Sequence, residues 1–372
     1  MAERSKPPFR ADQVGSLIRP QALIEAREKK ARGEIGADEL KRIQEDAIGE
    51  VVRQQEAIGL KSITDGEFNR GTWQTDFLLR FANVTQGASR FSTTFHNEKG
   101  TTESKPHMVQ VTGKLSRPAP IFVDDFRFLK SVTRQTPKIT LPSPSIMHFR
   151  GGREAISAEA YPDMAEFYED LAGVYREEIA DLADAGCRYV QLDEVNFAYL
   201  CDPALRAQVQ TNLGEDPDQL SHTYARLIND TIRDRPADMV ACMHLCRGNF
   251  AGRWVAEGGL RPGGRDPVQR DQGRRLLHGV RHRPRRRLRA PALPAKGKTV
   301  VLGLVTTKKG AIESKDELKR RIEEAATFAP LDQLCLSPQC GFSSGIGGQT
   351  MTVDEEMAKL RLCVEVAQEI WG

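Results

Sequence analysis

Residues 162–194 read PDMAEFYEDLAGVYREEIADLADAGCRYVQLDE. From about Pro162 to Ala185 the stretch has the pattern of an amphipathic helix, with Pro in the first turn and Gly186 where a C′ residue belongs. Arg188–Leu192 is β-rich and apolar, and it ends on two acids, Asp193 and Glu194. Helix, glycine, strand and acid make one unit of an α/β fold, and the unit recurs outward in both directions. Further β-rich runs lie at Asp12–Val14, Lys61–Thr64, Lys138–Leu141, Met239–Leu245, Thr299–Leu304 and Gln333–Leu336. Two later helices open on capping boxes, Ser314 with Glu317 and Thr352 with Glu355. Seven strands alternating with helices predict a parallel sheet. An eighth strand is expected inside residues 260–293, and it would complete a (β/α)8 TIM barrel. A doubly wound open sheet is the competing architecture. No G-x-G-x-x-G follows the first strand, which weakens a dinucleotide-binding reading. The chain reads as one domain over 1–372. Residues 70–137 are long for one connection and are expected to form an excursion over the barrel mouth.

Composition sets the outer bounds. Of 372 residues, 39% are hydrophobic and 28% charged, ordinary globular usage that argues against wholesale disorder. No apolar run of about 18 residues exists, so no membrane-spanning helix is expected. The N-terminus, MAERSKPPFRADQVGS, lacks the apolar core of a secretory signal. Seven scattered cysteines do not make a disulfide scaffold and point to a reducing, cytoplasmic setting. The net charge of +3 conceals a division. Residues 260–293 hold eleven Arg, two Asp, no Lys and no Glu, a local +9, which leaves −6 on the rest of the chain.

The residues that can carry chemistry fall at strand ends, where barrel active sites sit. In Met239-Val-Ala-Cys-Met-His-Leu-Cys246, alternation puts Cys242, His244 and Cys246 on one face. His244 and Cys246 end the strand, while Cys242 lies one pleat deeper, where packing is its better role. Cys340 follows the last strand in Leu336-Ser-Pro-Gln-Cys-Gly-Phe342. One imidazole and two thiolates on neighbouring strands are a plausible zinc set, against the alternative of inert buried cysteines and a core histidine. Asp65-Gly-Glu67 and Asp193-Glu194 are either mouth carboxylates or helix caps and ion pairs. Val14-Gly15-Ser16 is either a cradle of N–H groups for a carboxylate or an ordinary turn. His148 is expected at the mouth without a clear role; His96, His107 and His222 lie in polar context and are expected to face solvent.

These residues, in this order, resemble the cobalamin-independent methionine synthases, specifically stand-alone chains matching their C-terminal catalytic barrel. The resemblance covers nearly the whole chain. It is carried by Val14-Gly-Ser16, Ser62-Ile-Thr-Asp-Gly-Glu-Phe68, Val190-Gln-Leu-Asp-Glu194, His244-Leu-Cys246 and Pro338-Gln-Cys-Gly-Phe342. It implies an S-methyltransferase in methionine biosynthesis, moving a methyl group from a methylated folate to the thiol of homocysteine at a Zn2+ site. It further implies that His244, Cys246 and Cys340 are three of four metal ligands, and that Ser16, Glu67 and Asp193 hold the amino acid's carboxylate and ammonium. The partners implied are small molecules, with no nucleic acid and no membrane. Two departures bear on the methyl donor. The full-length enzymes' N-terminal half has no counterpart, and their acid histidine after the seventh strand is absent from Leu304-Val-Thr-Thr-Lys308. Transfer of another alkyl group to a thiol such as coenzyme M is the alternative within the superfamily.

The fourth ligand should be a Glu ending the sixth strand, yet no Glu lies between Glu257 and Glu313. Residues 260–293 also hold no Lys, Ile or Phe, with Arg at nearly one position in three. Synonymous codons exist for which Leu260–His278, read one base later, spells YDPVAETLFNEIKADGYFM. Gly279 as GGA followed by Val280 as GTA then reads Glu-Tyr, and Arg281–Leu293 continues DTDRAGDFAPLRF. The shifted peptide has a helix pattern, a strand and a Glu at the position of Gly279. We therefore read 260–293 as lying between two compensating frameshifts; the shift would move the net charge from +3 to about −11. A genuine basic arm for nucleic acid is the alternative. It would cost a barrel its sixth strand and leave unpaired edges. As written, His278 or His282 or water could only poorly replace the Glu, and an inactive product of a damaged gene is the remaining alternative.

Overall fold

A computed structural model describes residues 4–87, 93–97, 100–104, 108–248, 255–256, 275–279, 298–343, 345 and 350–372. Among them the strands are β1 (Ser62–Ile63), β2 (Ala82–Gly87), β3 (Thr93–Asn97), β4 (Gly100–Ser104), β5 (Met108–Ser116), β6 (Thr136–Pro137), β7 (Ile139–Pro142), β8 (Tyr189–Glu194), β9 (Val240–Leu245), β10 (Arg275–Gly279), β11 (Thr299–Val305) and β12 (Leu334–Pro338). The protein is α/β. Six strands form one parallel sheet in the order β12-β11-β10-β9-β8-β7. Both faces of the sheet are covered, and β8 and β11 are buried at every position, although β8 carries the polar Gln191, Asp193 and Glu194.

The expected sixth-place strand is present. β10 lies between β9 and β11 and pairs with both, with Leu277 opposite His244 and Gly279 opposite Gly303. The rest of 260–293 lies outside the described residues.

A closed barrel is not seen among the described residues, and the reason lies in polar side chains. On one side of the seam the Asp12 N–H donates to Leu336 O at 2.9 Å, and the Leu336 N–H donates to Arg10 O at 2.8 Å, so the first run joins β12. On the other side β1 pairs in parallel with β6. Between the first run and β1 no ladder forms. The buried Gln55 amide takes both backbone groups of Thr64, accepting from its N–H at 3.1 Å and donating to its carbonyl at 2.8 Å. Side chains bridge the seam instead: Ser62 Oγ donates to Asp12 Oδ1 at 2.8 Å and Thr64 Oγ1 to Gly15 O at 2.7 Å. Lys138 Nζ, fully buried, adds a 3.3 Å ion pair to Asp12.

Helix starts follow the sequence with two corrections. The helix Met164–Asp184 is capped by Asp163, whose carboxylate accepts from the Ala165 N–H at 2.8 Å, so Pro162 precedes the cap and is not in the first turn. Gly186 follows with φ +97°, as a C′ position requires. Ser314 stands at the cap of Lys315–Ala326 but its side chain makes no capping bond, and the Glu317 carboxylate accepts from Arg320 at 2.7 Å. The Thr352–Glu355 box is complete, with bonds of 3.2 and 2.8 Å. Residues 70–137 hold two antiparallel pairs, β2 with β5 and β3 with β4, and the helix Val123–Val132. Buried Glu178 ties them to the body by accepting from the N–H groups of Ile121 and Phe122 and from Arg117. No helix among the described residues is long and apolar enough to cross a membrane.

Glu356 gives a first prediction. Its Oε1 accepts from the Ile18 N–H at 3.0 Å, and Oε2 is buried with no partner. Burial raises its carboxyl to about 8. The folded chain therefore keeps a proton that the unfolded chain releases above about 4.5. The stabilisation is full below the unfolded value and is lost as pH rises through about 8, by about 2–4 kcal/mol. The melting temperature should fall across that window, and Glu356→Gln should flatten the fall. An unchanged pH slope in the variant would exclude Glu356 as its source.

Candidate metal centre

The candidate ligands come from β9 and from the turn after β12, which stand three places apart in the sheet and not on neighbouring strands as expected. His244 is the fifth residue of β9, and Cys246 follows the strand at the same face, its N–H donating to Glu194 O at 2.8 Å. Cys340 lies in the turn after β12. That turn is tied down because the Phe342 N–H donates to Ser16 O at 2.9 Å. The ligand atoms of His244, Cys246 and Cys340 all lie within 4.8 Å of one another, and the two sulfurs are 3.4 Å apart. His244 and Cys340 are buried and Cys246 is half-buried. The Cys246 thiol beside it, together with His244 and the charge of Lys308, holds the Cys340 thiol well below its ordinary range. Cys246 is pushed the other way, by its hydrogen bond to Cys340 and by burial.

Cys242 lies one pleat deeper, as expected. It packs with Tyr189, Val301 and Cys335, and burial pushes its thiol up to about 12.

A group of buried polar side chains lies beside His244. Asp193 stands opposite His244 in the β8–β9 register. Gln191, two residues back on the same face, donates to Asp193 Oδ1 at 2.7 Å and to Val14 O at 2.6 Å. Burial raises the Asp193 carboxyl to about 7, opposed by the charge of His244 and reinforced by Glu67. Glu67 follows β1 in a left-handed conformation, φ +60°, which a non-glycine residue adopts at a cost of about 1–3 kcal/mol. The turn is held by the Asp65 carboxylate, which accepts from the Glu67 N–H at 2.8 Å, and by Arg19, which donates to Glu67 O and Arg70 O at 3.0 Å each. Glu67 Oε1 accepts from Thr140 Oγ1 at 2.8 Å; Oε2 is buried with no partner. A Cβ on Gly15 would come within 2.6 Å of Thr140 Cγ2 and 3.5 Å of Glu67 Oε1, so the first turn lies against this carboxylate. A Cβ on Gly341 would lie 2.0 Å from Ser16 Oγ, so the Cys340 turn lies against Ser16. Ser16, Glu67 and Asp193 are thus each linked to the cluster.

The other candidates resolve into structural roles. Glu194 caps the next turn, accepting from the N–H groups of Asn196 and Phe197 and from Ser145 Oγ. His148 is fully buried, its Nδ1 2.9 Å from Tyr224 Oη and its Nε2 3.5 Å from Glu215, and so is not at an open mouth. His222 is exposed, His96 is half-buried against the expectation of exposure, and His107 and His282 lie outside the described residues. The sequence reading missed Thr140, Arg70 and Gln191. Gln191 was accessible from the alternation that ends on Asp193.

A His, Cys, Cys donor set suits zinc. The chain was compared with known proteins. It matches the family model described as the catalytic domain of cobalamin-independent synthase over residues 9–253 and 287–369. The break in the match falls on the Arg-rich segment. YxjG of Bacillus subtilis is 40% identical over 99% of this chain and 96% of its own. The solved structure of a putative vitamin-B12 independent methionine synthase from Listeria monocytogenes is 35% identical, covers 99% of this chain and 100% of its own, and superposes with a TM-score of 0.72. The 5-methyltetrahydropteroyltriglutamate–homocysteine methyltransferase of Thermotoga petrophila is 25% identical over 99% of this chain, which spans 45% of that protein. The chain belongs to the cobalamin-independent methionine synthase family of methyltransferases, through its catalytic domain.

Proposed function

We propose that the chain transfers a methyl group from a methylated folate to the thiol of homocysteine, giving methionine, at a zinc site held by His244, Cys246 and Cys340. The observation that carries the reading is the convergence of these three ligand atoms within 4.8 Å beside the Glu67–Asp193 pair. Zinc bound there would lower the pKa of the homocysteine thiol and present a thiolate nucleophile. The chain's own residues do the rest. Glu67 and Asp193 suit an ammonium: each is buried, and the Glu67 Oε2 acceptor is unfilled. Ser16 and the Gly15 turn face the substrate carboxylate. Arg70, 3.7 Å from Glu67, holds Thr140 through two bonds and so fixes the acceptor side of Glu67. We place the enzyme as one domain over 1–372, an eight-stranded barrel with its seam at Asp12–Val14, acting on small molecules in a reducing, cytoplasmic setting.

Glu67→Gln with Asp193→Asn should raise KM for homocysteine by about 100-fold, since each buried charge-assisted bond contributes about 1.5–3 kcal/mol. The same pair should leave methylation of mercaptoethanesulfonate, which has no ammonium, within about threefold. Equal losses with both thiols would remove the assigned role.

We also read 260–293 as frameshifted, with Glu at position 279 in the intended chain. The register supports this: one step past His278 opposite Leu245, Gly279 falls beside Cys246. The family match also breaks between 253 and 287. Sequencing the gene across codons 255–297 decides it. A continuous frame encoding Glu at 279 would make the Arg-rich segment an artefact of reading. Two confirmed shifts would place the loss in the gene itself. A frame that encodes the Arg-rich peptide with no shift relative to its flanks would overturn the proposal.

A further inference from the structure

We propose that Cys246 and Cys340 are also a reversible dithiol–disulfide pair, a modification site that hydrogen peroxide closes when the metal is absent. The proposal rests on the metal reading only for its competition with zinc. The two sulfurs are 94 residues apart in sequence and 3.4 Å apart in space. Bonding them needs a closing movement of about 1 Å. Both residues stand just past strand ends, where such a movement leaves the ladders intact. Exposure is divided to suit the chemistry. Cys246 is half-buried and open to a small oxidant, and Cys340 lies behind it, 7% exposed, as the resolving thiol. Four of the other cysteines, Cys187, Cys242, Cys335 and Cys363, are buried away from an oxidant.

The chemistry balances. The Cys246 sulfur attacks one peroxide oxygen and the O–O bond breaks. The departing hydroxide takes the thiol proton and leaves as water, and a sulfenic acid remains on Cys246. Cys340 sulfur then attacks that sulfur, the S–O bond breaks, and the oxygen leaves with the second thiol proton as a second water. Peroxide is reduced by two electrons, and the two sulfurs are oxidised to one disulfide. The disulfide offers no thiolate, so it excludes zinc; bound zinc occupies the same lone pairs and protects the thiols. An absent Glu at position 279 weakens the metal's hold and so favours the disulfide.

The test uses the full chain, stripped with a chelator and treated with hydrogen peroxide. Thiols titrated in denaturant should fall from seven to five. The mass should fall by about 2 Da, a protease digest should link the peptides of Cys246 and Cys340, and dithiothreitol should restore all seven thiols. Cys201→Ser should still lose two thiols, and Cys246→Ser should form no such link. Pre-loading with zinc should slow closure about tenfold or more. Oxygen addition at Cys246 without a link, or the same thiol loss in Cys246→Ser, would overturn the proposal. A link that forms equally fast with and without zinc would uphold the dithiol and remove the metal reading instead.

Discussion

Cys340→Ser is expected to leave a folded chain that binds no zinc and methylates homocysteine about a thousandfold more slowly, roughly 4 kcal/mol of transition-state stabilisation. The size follows from what Cys340 does. Cys246, His244 and Lys308 lower the pKa of its thiol, so it is the readier anionic donor to a metal. A serine hydroxyl there stays protonated and is a poor zinc ligand. The turn that carries it should survive, because Phe342 and Ser16 fix it through the backbone. Metal content by atomic absorption, circular dichroism and single-turnover rates together check the prediction. Cys242→Ser is the control: that residue packs beneath the site and should keep its zinc. Wild-type metal content in Cys340→Ser would contradict the assignment.

Restoring the shifted reading of residues 260–293, with Glu at 279, is expected to tighten zinc binding by about 100-fold or more and to raise the melting temperature. A fourth anionic donor beside Cys246 closes the first coordination shell, and losing even an outer-shell partner of a metal costs about 10–100-fold. The stability gain has a separate origin. The segment as written puts eleven Arg and two Asp around a strand that must pack between β9 and β11. Arginine is rarely fully buried unless paired. The restored peptide removes Arg274 and Arg275 from the start of that strand and puts Tyr-Phe-Met where Leu276, Leu277 and His278 now stand. Competition with a chromophoric chelator measures the zinc term and a thermal melt the stability term. Equal zinc affinity in the two chains would show that position 279 is not a ligand.

Much of this molecule is written locally. The run Thr299–Val305 declares itself because a strand buried on both faces is largely apolar, and Tyr189–Glu194 is found by its β-rich start after a helix and Gly186. The candidate trio was legible in its first two members, because a two-residue alternation fixes the common face of His244 and Cys246; Cys340 follows β12, three places from β9 in the sheet, and alternation does not place it. What the sequence hid depends on contacts between distant residues. The open seam arises because Gln55, on a helix, takes the backbone groups of Thr64, and nothing near Thr64 announces that. The left-handed backbone at Glu67 depends on Asp65 and Arg19 together. The capping box at Ser314 matches the motif, yet the Ser314 side chain makes no capping bond and the Glu317 carboxylate turns to Arg320. His148 reads as a mouth residue until Tyr224 and Glu215 are seen to enclose it.

The central claim is zinc-dependent methyl transfer to a thiol at His244, Cys246 and Cys340. The most direct measurement is methionine formation from homocysteine and a methylated folate by the chain restored at 260–293, before and after removal of metal. The account predicts one zinc per chain, turnover that disappears on chelation, and turnover that returns when zinc is added back. Methionine formed at an undiminished rate by metal-free protein, or by a His244→Ala, Cys246→Ser variant, would contradict it.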